Sequence, residues 1–448
     1  MPAFSLNRAG VVIRPRKEAT EHKPIEEASV PAEVILPLQQ HTGAPPAVMV
    51  KVGDKVSVGQ KLAEVSAFIS APVHASVDGK IKAIEKRRIV TGAAVEAVII
   101  EASPEQGPVP LVERDVSALT KEEIVEIVRE AGIVGLGGAA FPTHVKLTPP
   151  TDRSIDSVII NGCECEPFLT CDYRQMVEYP DEIIEGTRLI MRVVGAPRAY
   201  IAIEADKREA IHIIRERLSA NNGSISVVAV DAIYPQGAEK QLIKHVLGRE
   251  VPSRGLPAFV GALVQNVGTT ISIYRACRYG RPLIDRVVTV SGSAIREPKN
   301  LRVRLGTPVS HLIAECGGLT PDVGKVVMGG PMMGVSIYDF SVPVVKGTSG
   351  LVAMARDEIE SPENAACVRC GKCVEACPMR LTPLFLANYI EHGKIEAATK
   401  IGLLDCLECG VCAYLCPSGR PLIQLLRHGK GLALSKKYRK PPRLAKKV

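Results

Sequence analysis

From Val48 to Ile84 apolar residues alternate with Gly-bearing turns: Val50, Val52, Gly53-Asp54, Val56, Val58, Gly59, Pro72-Val73, then Val77-Asp78-Gly79-Lys80-Ile81. Short runs of this kind predict the strands of a small β module. Pro104, Pro108 and Pro110 mark a linker after it. Thr120 followed by Glu123 forms a capping box, and Ile124, Ile127 and Val128 make one stripe, so a helix is expected through Ala131. Beyond it, β-type runs (Ser157 to Ile160, Ala199 to Ile203, Ile225 to Val230) alternate with helical ones (Asp181 to Val194, Asp206 to Leu218, Glu239 to Leu247). That alternation predicts an α/β unit with a parallel, doubly wound sheet. The character changes from Asp285 to about Ala355. Strands at Val287 to Ser291 and Leu301 to Val303, a helix from His311 to Cys316 and a turn at Gly329 to Gly334 suggest a β-grasp-like domain. A last helix is expected over Leu381 to Ala398, with Leu384, Leu386, Ile390 and Ile395 apolar.

A length of 448 residues predicts about three domains rather than one. With 46% hydrophobic and 23% charged residues the composition is that of a folded protein with a sizeable core. The longest apolar runs fall short of a membrane span, and the amino terminus lacks a basic-then-apolar leader. The chain is therefore expected neither to cross a bilayer nor to be exported. Aromatic residues amount to 4% with no Trp, which leaves little for stacking bases, and nucleic acid is not an expected partner. The net charge of +8 is local: Arg427 to Val448 holds 9 Lys and Arg and no acid, and the remainder is near neutral.

Thirteen cysteines in such a chain read as thiols or metal ligands. Eight of them form two runs of identical spacing, Cys367, Cys370, Cys373, Cys377 before Pro378, and Cys406, Cys409, Cys412, Cys416 before Pro417. A [4Fe–4S] cube needs four thiolates at its corners, and three from one tight turn cover one face. In the bacterial two-cluster pattern the fourth cysteine of each run serves the other cluster. One cluster then takes Cys367, Cys370, Cys373 and Cys416, and the other Cys406, Cys409, Cys412 and Cys377. Zinc, the competing metal, favours separated pairs. Two neighbouring clusters make a one-electron wire in a small helical, ferredoxin-like domain. Of the other five, Cys171, Cys277 and Cys316 read as buried small hydrophobes, while Cys163 and Cys165 are candidates to line a site.

Two loops could hold the electron source. Gly135-Leu136-Gly137-Gly138-Ala139-Ala140-Phe141-Pro142 lets backbone amides approach an anion or a flat ring, although it is not the G-x-G-x-x-G fingerprint and taken alone could be only a turn. Asn161-Gly162-Cys163-Glu164-Cys165-Glu166-Pro167 follows a predicted strand, where open α/β sheets place ligands. Its two carboxylates could meet ribose hydroxyls or a ring N–H, or form a solvated acidic turn.

Gly135 to Leu147 (GLGGAAFPTHVKL) resembles the nucleotide- and flavin-binding loop of the NADH-oxidising flavoprotein of respiratory complex I. Asn161 to Pro167 resembles that flavoprotein's flavin-contacting N-A-D-E-G-E-P segment, and the β-grasp region its soluble-ligand-binding β-grasp domain. The amino-terminal V-x-V-G-D-x-V-x-x-G-Q pattern resembles the lipoyl and biotinyl carrier fold. A carrier needs a Lys at its hairpin tip, where Ser66-Ala67-Phe68-Ile69 has none, so a scaffold is expected instead of a swinging arm. In this order the parts resemble the RnfC family, the NADH-binding members of the Rnf ion-translocating ferredoxin:NAD oxidoreductase complexes. The strings Tyr234 to Lys240 and Gln265 to Thr270 belong to the same resemblance. The expected division is a barrel-sandwich-hybrid-like module over residues 1–110, a Rossmann-like core over 115–283, a β-grasp domain over 284–355, a helical two-cluster domain over 356–426 and a basic tail over 427–448.

The resemblance implies that Gly135, Gly137, Gly138, Asn161, Glu164, Asn266 and Thr269 surround FMN. It implies that Phe141 stacks on the adenine of NADH, with Lys146 near phosphate, Glu166 on the nicotinamide-ribose side and Glu239 close by. Ala140 and Ala238 stand where the family usually has Gly. The implied activity is hydride exchange between NAD(H) and FMN, followed by single-electron exchange with two [4Fe–4S] clusters; FMN can take two electrons and pass them singly, so no acid–base catalyst is required. Implied partners are the membrane-embedded and ferredoxin-accepting proteins of the Rnf complex, with peripheral docking on the cytoplasmic face of the cell membrane. The tail could touch anionic headgroups or an acidic partner, or only solubilise. Alternatives are a flavin and iron–sulfur cobalamin reductase of propanediol-utilising microcompartments and a non-catalytic iron–sulfur scaffold.

Overall fold

A computed structural model of the chain describes residues 10–150, 152–219, 223–359 and 365–439. The amino-terminal module is β as expected. Its four-stranded sheet runs, in spatial order, Glu33–Pro37, Ala94–Ala102, Gly79–Arg88 and Lys55–Val56, beside a three-stranded sheet of Ala47–Val48, Lys61–Glu64 and Val73–His74. Leu36, Leu62, Val77, Val98 and Ile100 are fully buried in their shared core. The capping box forms: Thr120 Oγ1 accepts from Glu123 N, and Glu123 Oε2 accepts from Thr120 N, opening the helix Lys121–Glu130.

The central sheet is wholly parallel, ordered Ile225–Val230, Arg198–Glu204, Ser157–Gly162, Ala262–Asn266. The last strand and the helix that follows it, Val267–Tyr279, add to the elements expected from the sequence pattern. They matter because Asn266, at the strand's end, starts that helix. Its Oδ1 accepts from Gly268 N and Thr269 N, a side-chain cap on two otherwise unpaired amides.

The third region is a mixed six-stranded sheet around the helix Val309–Glu315. Its edge strand, Ile25–Glu27, comes from the amino terminus and pairs parallel with Lys299–Arg304. Residues 25–27 thus leave the first module to complete the third. The cysteine domain follows. There the expected helix over Leu381 to Ala398 is two helices, Pro383–Glu391 and Ile395–Lys400, because Gly393 takes φ +68° and ends the first. The expected basic tail does not begin free at residue 427, since Leu422–Arg439 is one helix. Arg427 Nη2 donates to Met333 O, and Lys430 Nζ donates to Cys406 O at 2.9 Å and pairs with Glu408. Tail residues 440–448 lie outside the described residues.

Candidate functional site: a glycine cradle against two four-cysteine cavities

The glycine loop closes on itself, with Gly135 N donating to Phe141 O at 2.8 Å. Thr269 Oγ1 accepts from Leu136 N at 2.9 Å, pinning the loop to the helix that Asn266 caps. A Cβ on Gly137 would lie in ordinary contact with Asn266, 3.5 Å away, and Gly138, at φ +102°, faces open space. A methyl at either position would fill a cradle that the chain keeps clear. Ala140 sits at φ +47°, a left-handed conformation, which explains why a Gly suits that position better. Ala238 is in ordinary extended backbone, so its methyl does no harm.

The polar residues around the cradle hold loops to one another. Asn161 Nδ2 donates to Gly237 O, and its Oδ1 accepts from Cys163 N. Lys146 Nζ donates to Glu239 Oε1 at 2.7 Å and to Val264 O at 2.8 Å, joining two residues that the resemblance puts side by side. These groups gather at the carboxyl ends of the parallel strands, as open α/β sheets require of a ligand site. Phe141 is half-buried at the loop's end.

Glu164 is buried and serves the fold. Its Oε1 accepts from Asp172 N and its Oε2 from Tyr173 N, capping the helix Cys171–Glu178, while Lys17 donates to its carbonyl. Glu166 is also hydrogen-bonded within the fold. Its oxygens accept from Met332 N at 3.0 Å and Met333 N at 2.8 Å, so it anchors the Gly329 to Gly334 turn. Burial raises its carboxyl, and those amides work the other way.

Residues with no motif complete the arrangement. Asp172 Oδ2 accepts from Asn266 Nδ2 at 2.6 Å. Burial, then the charge of Glu164, pushes the Asp172 carboxyl up to about 7. Arg286, buried on a β-grasp strand, donates to Leu136 O and Lys346 O and so clamps the glycine loop from behind. Lys346 is fully buried and donates to Pro72 O and Gly132 O, both at 2.7 Å, stapling three domains together. Burial pushes its amine down to about 7. The lysine-less hairpin is fixed as well. Thr42 N donates to Ala140 O, and Phe68 O lies 3.0 Å from His144 Nε2.

The eight cysteines gather as the spacing predicts. One cavity is lined by Cys367, Cys370, Cys373 and Cys416, the other by Cys377, Cys406, Cys409 and Cys412. Each therefore draws three from one run and the fourth from the other, the donor set of a cubane cluster. Lys430 beside Cys406 suits the negative charge that thiolates and cluster bring. The surroundings differ. Cys377, Cys409 and Cys412 are buried, whereas Cys367 and Cys370 are exposed. The inner cavity abuts the parallel-sheet domain: Tyr234 OH donates to Cys409 O at 2.8 Å, Gln241 Nε2 to Pro378 O, and Ser253 Oγ to Asp405 Oδ2. Val11, Cys165 and Met332 pack on the same apolar patch. A strap seals it, with Gly10 N donating to Ala376 O while Val11 exchanges backbone hydrogen bonds with Tyr234. Cys163 packs against the parallel sheet, and burial raises its thiol, with Cys165 up to about 12.

Four family descriptions match the chain in this order: the RnfC barrel sandwich hybrid domain over residues 6–105, the Nuo51 FMN-binding domain over 128–275, the SLBB domain over 287–336 and the 4Fe-4S dicluster domain over 366–420. The C component of the proton-translocating ferredoxin:NAD(+) oxidoreductase complex of Clostridium ljungdahlii is 42% identical over 94% of this chain and 93% of its own length. The chain belongs to the RnfC family. The Na(+)-translocating counterpart of Acetobacterium woodii is 41% identical over 93% of this chain and 94% of its own. The C component of the ion-translocating oxidoreductase complex of Rhodobacter capsulatus is 41% identical over 98% and 85%. Among solved structures, an NAD+-reducing [NiFe]-hydrogenase in the air-oxidized state is similar in fold, with TM-score 0.50 and 18% identity over 73% of this chain and 69% of the other. An RnfC protein with an FMN-binding domain and a dicluster domain is an electron-transfer flavoprotein, and neither a microcompartment cobalamin reductase nor a bare scaffold is favoured. The cradle and the two four-cysteine cavities fit those cofactors.

Proposed function

We propose that this protein exchanges hydride with NAD(H) at an FMN seated on Gly135, Gly137 and Gly138, and that electrons then pass first to the inner cluster and next to the outer one. Bound FMN supplies the conversion between paired and single electrons. The residues around it supply position: Thr269 and Arg286 hold the loop, Asn266 and Asp172 close one side, and Lys146 with Glu239 offers a charged contact for the dinucleotide. In this reading Cys377, Cys406, Cys409 and Cys412 hold the inner cluster, and Cys367, Cys370, Cys373 and Cys416 the outer. Glu164, toward FMN, and Glu166, toward the nicotinamide ribose, border the site as well as bracing it.

The observation that carries the order is the one-sided contact. Tyr234, Gln241 and Ser253 of the flavin domain meet the cluster domain at residues 378, 405 and 409, all beside the inner cavity. The outer cavity, with Cys367 and Cys370 exposed, faces a partner. Among the described residues no helix is long and apolar enough to cross a membrane. In this reading the membrane-embedded and ferredoxin-accepting partners hold the protein peripherally, at the cytoplasmic face. The two relatives named for different ions, protons and sodium, are almost equally similar to this chain. Anaerobic reconstitution with FMN, iron and sulfide followed by NADH titration is the test. Flavin bleaching and two reduced-cluster EPR signals are expected, and a flavin that stays yellow when NADH is added overturns the reading.

A further inference from the structure

A cavity of about 220 Å³ lies apart from the cysteines, where the β-grasp sheet, the helix Val267–Tyr279 and the edge strand Ile25–Glu27 meet. Four arginines line it, Arg275, Arg281, Arg302 and Arg304, with the carboxylates of Glu27 and Asp285. Three guanidinium groups are held in place. Arg275 donates twice to Glu182 and stacks 4.7 Å from the Tyr179 ring. Arg302 donates to Glu27 Oε1 and to Tyr179 OH, both at 2.7 Å, and Arg281 donates to Asp285. The fourth is held less fully: Arg304 Nη1 is buried without a hydrogen-bond partner, although the charge of Arg304 acts on Asp285.

A buried, unpartnered guanidinium nitrogen beside three other cations costs free energy unless something else answers it. With Glu182 included, four positive groups face three carboxylates, so one positive charge is left over. Burial alone would raise the Asp285 carboxyl, yet Arg281, Arg302 and Arg304 together hold it below the usual carboxylate range. Glu27 is the loosest of the acids, its side chain 75% exposed on an edge strand. It can leave Arg302, which then keeps Tyr179 OH and Asp285, 3.6 Å away, as partners and has one fewer carboxylate at the mouth.

We propose that this cavity binds a small phosphate-bearing anion, gripped by Arg281, Arg302 and Arg304, with Glu27 swinging aside. Guanidinium forks suit phosphoryl oxygens, several of which can be met at once. The cavity is separate from the flavin cradle. Arg275 lies more than two helical turns beyond Asn266, roughly 13 Å along the axis. An anion seated here ties the β-grasp domain to the far end of the helix whose first turn closes the cradle.

The test uses the full chain loaded with clusters and saturated with FMN and NAD+, so that the redox site's own phosphate positions are filled. Inorganic phosphate and pyrophosphate are titrated against chloride at constant ionic strength, followed by thermal unfolding and calorimetry. A saturable heat is expected, with a rise in midpoint of about 3–5 °C at saturation. Arg304→Met should be close to the parent in stability without phosphate, because losing a surplus positive charge and a buried unpaired nitrogen offsets losing the attraction to Asp285, and should bind the probe at least about tenfold more weakly. Free phosphate as the ligand predicts that both probes act, whereas a diphosphate-bearing ligand predicts that pyrophosphate alone acts at low concentration. Two results overturn the proposal: stabilisation by chloride equal to that by either probe, or an undiminished response in Arg304→Met. A phosphate-free Arg304→Met markedly less stable than the parent also overturns it, since the arginine would then be a structural strut.

Discussion

The two cysteine runs have the same spacing and occupy different surroundings. Cys377, Cys409 and Cys412 are buried on the side of Tyr234 and Met332, with Lys430 beside Cys406, while Cys367 and Cys370 face solvent. Coordination chemistry requires one geometry of both cavities. The difference lies in what each cavity leans on, and it separates a junction inside the molecule from one left for a partner.

Removing one ligand from each cavity tests that division most severely. Cys412→Ala should abolish nearly all NADH-driven reduction of both clusters while flavin bleaching persists, because the outer cluster loses its supplier. Cys370→Ala should keep one NADH-reducible EPR signal and lose nearly all transfer to an external acceptor. If Cys412→Ala still filled the outer cluster from NADH, the proposed order would be reversed. A chelator under oxidising conditions gives an intermediate effect. Iron release should be biphasic, about half leaving early, with the signal that Cys370→Ala removes being the first to fade. Tyr234→Phe is the mildest probe. It leaves the buried Cys409 carbonyl unpaired, at a cost of about 1–3 kcal/mol in urea unfolding of the cluster domain. It should alter the inner cluster's EPR line alone.

The cluster domain is legible in the sequence because a cubane imposes its ligand spacing on the chain, and even the crossed pairing of Cys377 and Cys416 follows from it. The capping box at Thr120 and the parallel strands from Ser157, Arg198 and Ile225 are legible from local pattern. The flavin site is readable only through resemblance. Its glycines mark a loop without saying what it holds, and the groups that lock it, Arg286, Asp172 and Lys346, come from distant stretches where each looks like any other charged residue. The bonds of Glu166 to Met332 N and Met333 N, which tie the second loop to a turn in the β-grasp domain, are not legible either. The edge strand Ile25–Glu27 escapes a pattern reading because three residues carry no period. The helix expected over Leu381 to Ala398 is too long because the apolar stripe passes Gly393 while the helical backbone does not.

The strap at Gly10 and Val11 has a consequence for biosynthesis. It joins the start of the chain to Ala376, near its end, so the seam beside the inner cavity stays open until the last domain has left the ribosome.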